Sequence, residues 1–420
     1  YVQLSDISAN VYDETSEYRR TTAMITANDS LAYYVDFFRV TGGSSHIYSF
    51  HGGEAESVET EGLNLKKQAD ESGNYIGTYE SPYLDWGTVT DSRMAWFKNV
   101  DRDADPGNTF KVVWNLVDTY DMSKGISEKH GLKMEMTMFG DFTEVALADG
   151  IPPRNKVNNP SSVRYMMAKK TGRNLSSLFT SVIQAYSDQI IVVDSEPVKV
   201  TTENGKNADA HKVAALKVTL STGRVDYIIN STDNSTTYTV DGLFDFCGFF
   251  GVYSVLGDKV MTYAHDATLI GKNTVQNRVN GTIVSLTKKL QLENTIVIKP
   301  ANDVDVSQLT HKILSGNSLN GQNPVYEIIS AKKLEDGNIE LNIGSVSLIN
   351  SYASATDTKN YVYNLKEGDT CYIPLTLVAG KSDAFFFPLY TSINAIILSH
   401  DISRNAKKDS LVGFLYAVDT

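Results

Sequence analysis

Apolar and polar positions alternate along most of this chain and almost nowhere recur at helical spacing. Leu132 to Phe139 shows the pattern plainly, with Leu132, Met134, Met136 and Met138 on one side and Lys133, Glu135 and Thr137 on the other. A period of two sends successive side chains to opposite faces, so the segment reads as a half-buried antiparallel strand. Tyr33 to Val40, Phe110 to Val117, Ser177 to Ala185 and Gln189 to Val193 are further extended runs. Thr41-Gly42-Gly43-Ser44-Ser45 separates the first of them from His46 to His51 and predicts a hairpin. In that hairpin Val40 pairs with His46, Phe38 with Tyr48 and Asp36 with Phe50. His46 and His51 then point to opposite sides, and Asp36 lies on the order of 13 Å from His46 at ~3.3 Å per residue.

Beyond residue 195 the spacing grows more regular, with strands expected at Lys212 to Leu220, Arg224 to Asn230, Thr237 to Val240, Gly248 to Leu256, Val260 to Thr268 and Gly281 to Lys288. The tail repeats the theme at Val325 to Lys332, Glu340 to Ile343, Tyr361 to Leu365 and Cys371 to Leu377, separated by Gly- and Asn-containing turns. Gly150 to Pro160 is rich in Pro and Asn and reads as a surface loop. Short strands at steady spacing predict an all-β fold of antiparallel β-sandwich domains, a large sandwich followed by one or two smaller β domains. The expected divisions are 1–195, 196–300 and 301–420. No helix-length amphipathic segment and no repeat of fixed period stands out.

Composition agrees. The 420 residues include 23 Tyr and 16 Phe against 3 Trp, a bias toward strand-forming side chains. With 50 acidic against 38 basic side chains the net charge is -12, which disfavours non-specific nucleic-acid binding, since phosphate neutralisation needs clustered cations. Cys247 and Cys371 stand far apart in apolar settings and read as buried thiols. No apolar run approaches the ~18 residues of a membrane span.

Candidate chemistry is sparse. The histidines (His46, His51, His130, His211, His265, His311 and His400) contain no H-x-x-x-H pair, and a metal built from the His46–His51 segment alone is not expected. Gly380-Lys381-Ser382 mimics the end of a phosphate loop but lacks the upstream glycine, which is Leu375. His265-Asp266 reads as a strand-end His and a turn Asp. Asn28, Asn174, Asn230, Asn234 and Asn280 head N-x-S/T sequons. Arg19-Arg20, Lys169-Lys170 with Arg173, and Lys288-Lys289 read as solvated strand ends. Trp86, Trp96, Tyr83 and Tyr48 are either core aromatics or surfaces on which sugar rings stack.

Residues 33 to 52, Tyr-Tyr-Val-Asp-Phe-Phe-Arg-Val-Thr-Gly-Gly-Ser-Ser-His-Ile-Tyr-Ser-Phe-His-Gly, nonetheless carry a specific pattern. They resemble the segment Y-V-V-D-x-F-R-V-x-G-G-x-x-H-D-Y-x-x-H-G of heparinase II/III-like polysaccharide lyases. Gly131 to Met136 is similar to the family's G-L-R-L-H-M strand, Arg164 to Lys170 to its Y-L-x-x-R-R, and Ser177 to Tyr186 to its S-x-F-V-x-V-I-E-P-Y. Gln184 and Ala185 replace Glu and Pro in the last of these, and Ile47 replaces the Asp of the first. The resemblance extends to about residue 190.

Such lyases join an α/α toroid to β-sandwich domains and cleave uronic-acid polysaccharides by β-elimination. The uronate carboxylate is neutralised, a base removes the C5 proton, and an acid protonates the leaving oxygen at C4. Many members hold zinc through motifs that lie upstream of the matched segments. The resemblance therefore implies a β module that forms one wall of a cleft for an anionic polysaccharide of heparin/heparan, alginate or ulvan type, in a secreted or periplasmic enzyme. It places the toroid, the catalytic residues and any zinc before Tyr1, so that this chain holds no cofactor and is not active by itself. The residues expected to be constrained are Asp36, Arg39, His46, Tyr48 and His51, as substrate contacts or as supports beneath the cleft. The other readings are a stand-alone carbohydrate-binding or cell-surface module, or a purely structural sandwich holding a partner domain.

Overall fold

The computed structural model describes residues 1–9, 11–28, 31–117, 131–152, 160–187, 189–317, 324–354 and 357–380. The part of the Gly150 to Pro160 loop at 153–159, together with His130, His400, Lys381 and Ser382, lies outside the described residues. The alternating segments do form strands, and the fold is all-β. Among the described residues the helical turns are two short 3-10 segments, Met94–Trp96 and Val306–Gln308, and no helix is long and apolar enough to cross a membrane.

The first part of the chain consists of β1 (Val2–Ser8), β2 (Thr15–Thr26), β3 (Ala32–Gly42), β4 (Ser45–His51), β5 (Ala55–Glu61), β6 (Lys66–Lys67), β7 (Phe97–Asp103), β8 (Thr109–Leu116), β9 (Lys133–Phe139), β10 (Glu144–Gly150), β11 (Val163–Thr171) and β12 (Ser176–Tyr186). They divide into a seven-stranded sheet, β1-β2-β3-β12-β9-β8-β5, and a five-stranded sheet, β4-β11-β10-β7-β6. Between the two sheets lies a core that includes Phe38, Val40, Tyr48, Phe50, Trp114, Met136, Met138, Met166 and Phe179.

The hairpin expected at residues 33–52 does not form. β3 pairs with β2 along one edge and β12 along the other, while β4 pairs with β11 in the opposite sheet. With both edges of β3 occupied, the chain at Thr41–Ser44 crosses from one layer to the other, so Phe38 meets Tyr48 across the sandwich, ring centroids 6.2 Å apart, and not along a ladder. Gly42 makes this corner possible. Its φ of +115 suits glycine, and a Cβ there would overlap the backbone of Glu14 and Thr15.

The other face of the seven-stranded sheet is also covered. β13 (Val192–Val198), β14 (Val200–Thr202), β15 (Val213–Leu220), β16 (Val225–Ser231), β17 (Tyr238–Val240), β18 (Phe244–Leu256) and β19 (Lys259–Ile270) belong to one nine-stranded sheet. The run expected from Gln189 becomes strand only at Val192. One face of this sheet, with Leu216, Val218, Ile228, Phe250 and Val252, packs on Ala23, Ile25, Tyr33, Val35 and Phe37 of β2 and β3. β18 is bulged between Cys247 and Gly248. The sheet curls there, and its second face closes on a separate core that includes Val213, Ile229, Val240, Phe246 and Ala264. The result is three stacked layers with the β2-β3-β12 strands in the middle.

A further seven-stranded sheet lies downstream, around a core of Ile296, Ile298, Leu314, Leu341 and Ile373. Its strands Arg278–Leu286 and Asn294–Pro300 pair with Thr370–Pro374 and Ile339–Gly344. A boundary at residue 300 therefore cuts through this sheet, because its ladders join strands from both sides of that position. The strand Thr376–Ala379 returns to pair with β19 and ties the unit back to the nine-stranded sheet.

The corner generates a clear expectation. Gly42→Ala should destabilise the protein by at least about 1–3 kcal/mol from backbone strain alone. Gly43→Ala, where the nearest atom to a new Cβ is the flexible His46 ring at 3.9 Å, should cost less. Chemical denaturation of both variants measures the difference. Equal losses would be inconsistent with a chain crossing at Gly42.

Candidate functional site

β3 sends its even-numbered residues toward the five-stranded sheet and its odd-numbered residues toward the nine-stranded one, so the predicted site residues fall on different faces. On the first face Asp36, 2% exposed, receives a bidentate ion pair from Arg20, with Nε at 3.0 Å and Nη2 at 2.6 Å from Oδ2. The Tyr48 hydroxyl donates to the same Oδ2 at 2.8 Å, and Arg20 Nη2 reaches the Tyr48 hydroxyl at 3.0 Å. Arg20 sits opposite Phe38 in the β2-β3 ladder, which puts it on the same face as Asp36. Burial, followed by the neighbouring Asp36 charge, pushes the Tyr48 phenol well above its ordinary range. A buried phenol held protonated as a donor to a carboxylate is a brace. An elimination acid or base must reach the substrate, and Tyr48 is buried between the sheets.

Arg39 points the other way. It is fully buried against the nine-stranded sheet, with its Nε donating to the His211 carbonyl at 2.6 Å and its guanidinium also bonded to the Asn230 side chain and carbonyl. It forms no pair with Asp36. Burial, and then the Arg19 charge directly across the ladder, pull its pKa down to about 10. Arg19 itself is held by Asp6 at 2.9 Å. Asn230 is fully buried by these contacts, so its sequon is inaccessible to glycosylation in the folded chain.

His46 and His51 do face opposite sides. His46 Nε2 donates to the Gly42 carbonyl at 2.5 Å, which leaves Nδ1 of the neutral ring to accept the Ser177 hydroxyl at 2.8 Å. It therefore locks the corner to β12. His51 lies on the outer face, its Nδ1 on the Gly52 carbonyl at 2.6 Å and its ring 4.5 Å from that of Tyr165. With both His46 nitrogens committed and no three His, Cys, Asp or Glu converging among the described residues, the donors present here do not fit a zinc centre.

Sequence reasoning missed Arg20 and Asn230, the partners that Asp36 and Arg39 need. The signal was available in part, since a charge in an apolar strand demands a buried counterpart. Arg20 was hidden in a basic pair that reads as a solvated end. The second pair behaves likewise, Lys170 donating to the Leu178 carbonyl at 2.9 Å over the rings of Phe142 and Phe179.

An open cleft of about 370 Å³ lies between β5 and the ends of β7, β10 and β11, lined by Glu56, Ser57, Thr60, Asp101, Asp149 and Arg164. Arg164 is already neutralised by Asp101 and by Asp149, the latter at 2.9 Å. The cleft is thus net acidic and disfavours a uronate. No family model matches the chain, and no curated protein matches it.

Two outcomes follow from these contacts. Asp36→Ala leaves Arg20 and the Tyr48 hydroxyl without their acceptor and should cost about 3–5 kcal/mol, toward the lower end because Arg20 keeps some access to water. A double-mutant cycle with Arg20→Ala should show strong coupling, and additivity would contradict the pair. Burial also lowers His46 and His265 below the ordinary value of 6.5, so the folded state resists protons that the unfolded chain accepts. Their contribution is complete above pH 6.5 and is lost as pH falls below it. His46→Gln should flatten that acid limb in denaturation measured across pH.

Proposed function

We propose that this chain is the β module of a polysaccharide lyase that cleaves a uronic-acid-containing glycan by β-elimination, forming one wall of the cleft. One observation carries this reading. The segments that resemble the heparinase II/III-like pattern are scattered between residues 33 and 186, yet they assemble into one block. β3, β12 and β9 are consecutive neighbours in the seven-stranded sheet, and β4 and β11 are neighbours in the sheet facing it. The polar residues of the pattern hold that block together. Asp36 and Tyr48 join the two sheets, His46 fixes the corner between them, and Arg39 docks the next layer.

In this reading these side chains set the rigidity of a wall and do not carry the proton transfers. The acid, the base and the groups that neutralise the uronate carboxylate belong to a toroid domain supplied outside this chain, as does any zinc. A net charge of -12 repels an anionic glycan at long range, so attraction must come from local cations or from that domain. Secretion or periplasmic location follows from the nature of the substrate and is part of the same proposal.

The test uses the protein encoded by the full reading frame. With heparan sulfate, alginate or ulvan as substrate, one of the three should give a rise in the ultraviolet absorbance of an unsaturated uronate product, while this chain alone should give none. His46→Ala in the full protein should lower its thermal stability and leave the rate per folded molecule nearly unchanged. Absence of unsaturated product from all three glycans, or cleavage by hydrolysis, would overturn the proposal.

A further inference from the structure

Trp114 is fully buried, whereas Trp86 and Trp96 are 42% and 44% exposed and Tyr83 is 94% exposed. The two exposed indoles are nonetheless held in place. Trp86 Nε1 donates to the Trp96 carbonyl at 3.0 Å, and the Gly87 amide donates to the Ala95 carbonyl at 3.0 Å. Their rings meet edge to face with centroids 5.2 Å apart. The Trp86 N–H is thus turned toward the backbone and part of both rings faces water, ordered before any ligand arrives.

Trp96 leads directly into β7, where Phe97 begins a line of rings across the outer face of the five-stranded sheet. Phe97 lies 4.8 Å from Tyr165 on β11, and Tyr165 lies 4.5 Å from His51 on β4. Between Phe97 and Tyr165 the intervening strand offers Gly150, where a Cβ would collide with both rings. The glycine lets the two aromatics close over β10.

A cation stands beside these rings, across the ladder from Asp149. Lys98 Nζ lies 5.6 Å from the centre of the Trp86 ring and makes no ion pair among the described residues. A rigid, partly open indole face, braced edge to face by its neighbour, suits the C–H face of a pyranose ring, and an ammonium with no ion pair beside it suits a carboxylate on that ring. We propose that Trp86, Trp96 and Lys98 form a subsite for a uronate unit of an acidic glycan. This inference rests on the uronic-acid reading above but not on the elimination chemistry.

The chain is titrated with alginate oligosaccharides at low and moderate salt, with tryptophan fluorescence reporting occupancy because Trp114 is shielded. Trp86→Ala and Trp96→Ala should each weaken binding by about tenfold or more, with thermal stability close to that of the parent. Lys98→Gln should weaken alginate binding and remove most of its salt dependence. Trp86→Phe, which keeps a ring, should retain most of the affinity and serves as a second probe if the alanine variants unfold. No binding by the parent chain, affinities of the Trp and Lys variants within about twofold of the parent, or equally tight Lys98-dependent binding of dextran sulfate would overturn the subsite. If the full protein yields no unsaturated product while Trp86→Ala still abolishes alginate binding, the lyase reading fails and the subsite stands. If elimination proceeds while alginate binding ignores these substitutions, the subsite fails and the lyase reading stands.

Discussion

The structure depends on β3 being buried on both faces. A strand at the surface of a sandwich can place every second residue in water, but β3 has one sheet packed above it and another below, so each polar side chain it carries needs an internal partner. Asp36 finds Arg20 and Tyr48 in one direction, and Arg39 finds Asn230 and the His211 carbonyl in the other. At the start of the strand Tyr33 donates to Asp226 at 2.6 Å, and Asp226 is in turn paired with the buried Arg224 at 2.8 Å. Val35 and Phe37 lie between these polar ends and supply the apolar contact. Removing any one of these partners strands a buried polar group, which is why the interfaces have defined register and not merely shared hydrophobicity.

The same constraint explains the corner at Gly42. Since β2 and β12 take both hydrogen-bonding edges of β3, the chain that leaves it has to enter another sheet. His46 stabilises this exit by bonding the Gly42 carbonyl and Ser177 of β12. Residues 33–52 are thus the joint of a three-layer body. Their conspicuous ionisable groups are spent on architecture, whereas the indoles of Trp86 and Trp96 stay partly open beside Lys98.

The proposed lyase wall and the proposed glycan subsite are compatible uses of one rigid scaffold. Rigid sheets hold ring faces and cations at fixed spacing without ordering them on binding, so a weakly populated set of contacts can still orient a long, charged chain. The acidic cleft around Arg164 illustrates the opposite case, in which two carboxylates have already consumed the cation.

Alternation of side chains determined much by itself. The strand at Lys133–Phe139, the regular strands after residue 195 and the all-β class were all legible there, because a period of two is a local property of the backbone. The opposite orientation of His46 and His51 was legible for the same reason. Which strands pair was not, since Thr-Gly-Gly-Ser-Ser between two apolar runs serves a hairpin and a sheet-to-sheet corner equally well. Nor did the sequence disclose that Arg20 completes Asp36, that Asn230 completes Arg39, or that Trp86 and Trp96 lie outside the core while Trp114 lies within it. Those outcomes depend on which layers stack on which, and only the tertiary structure, by burying both faces of β3, decided them.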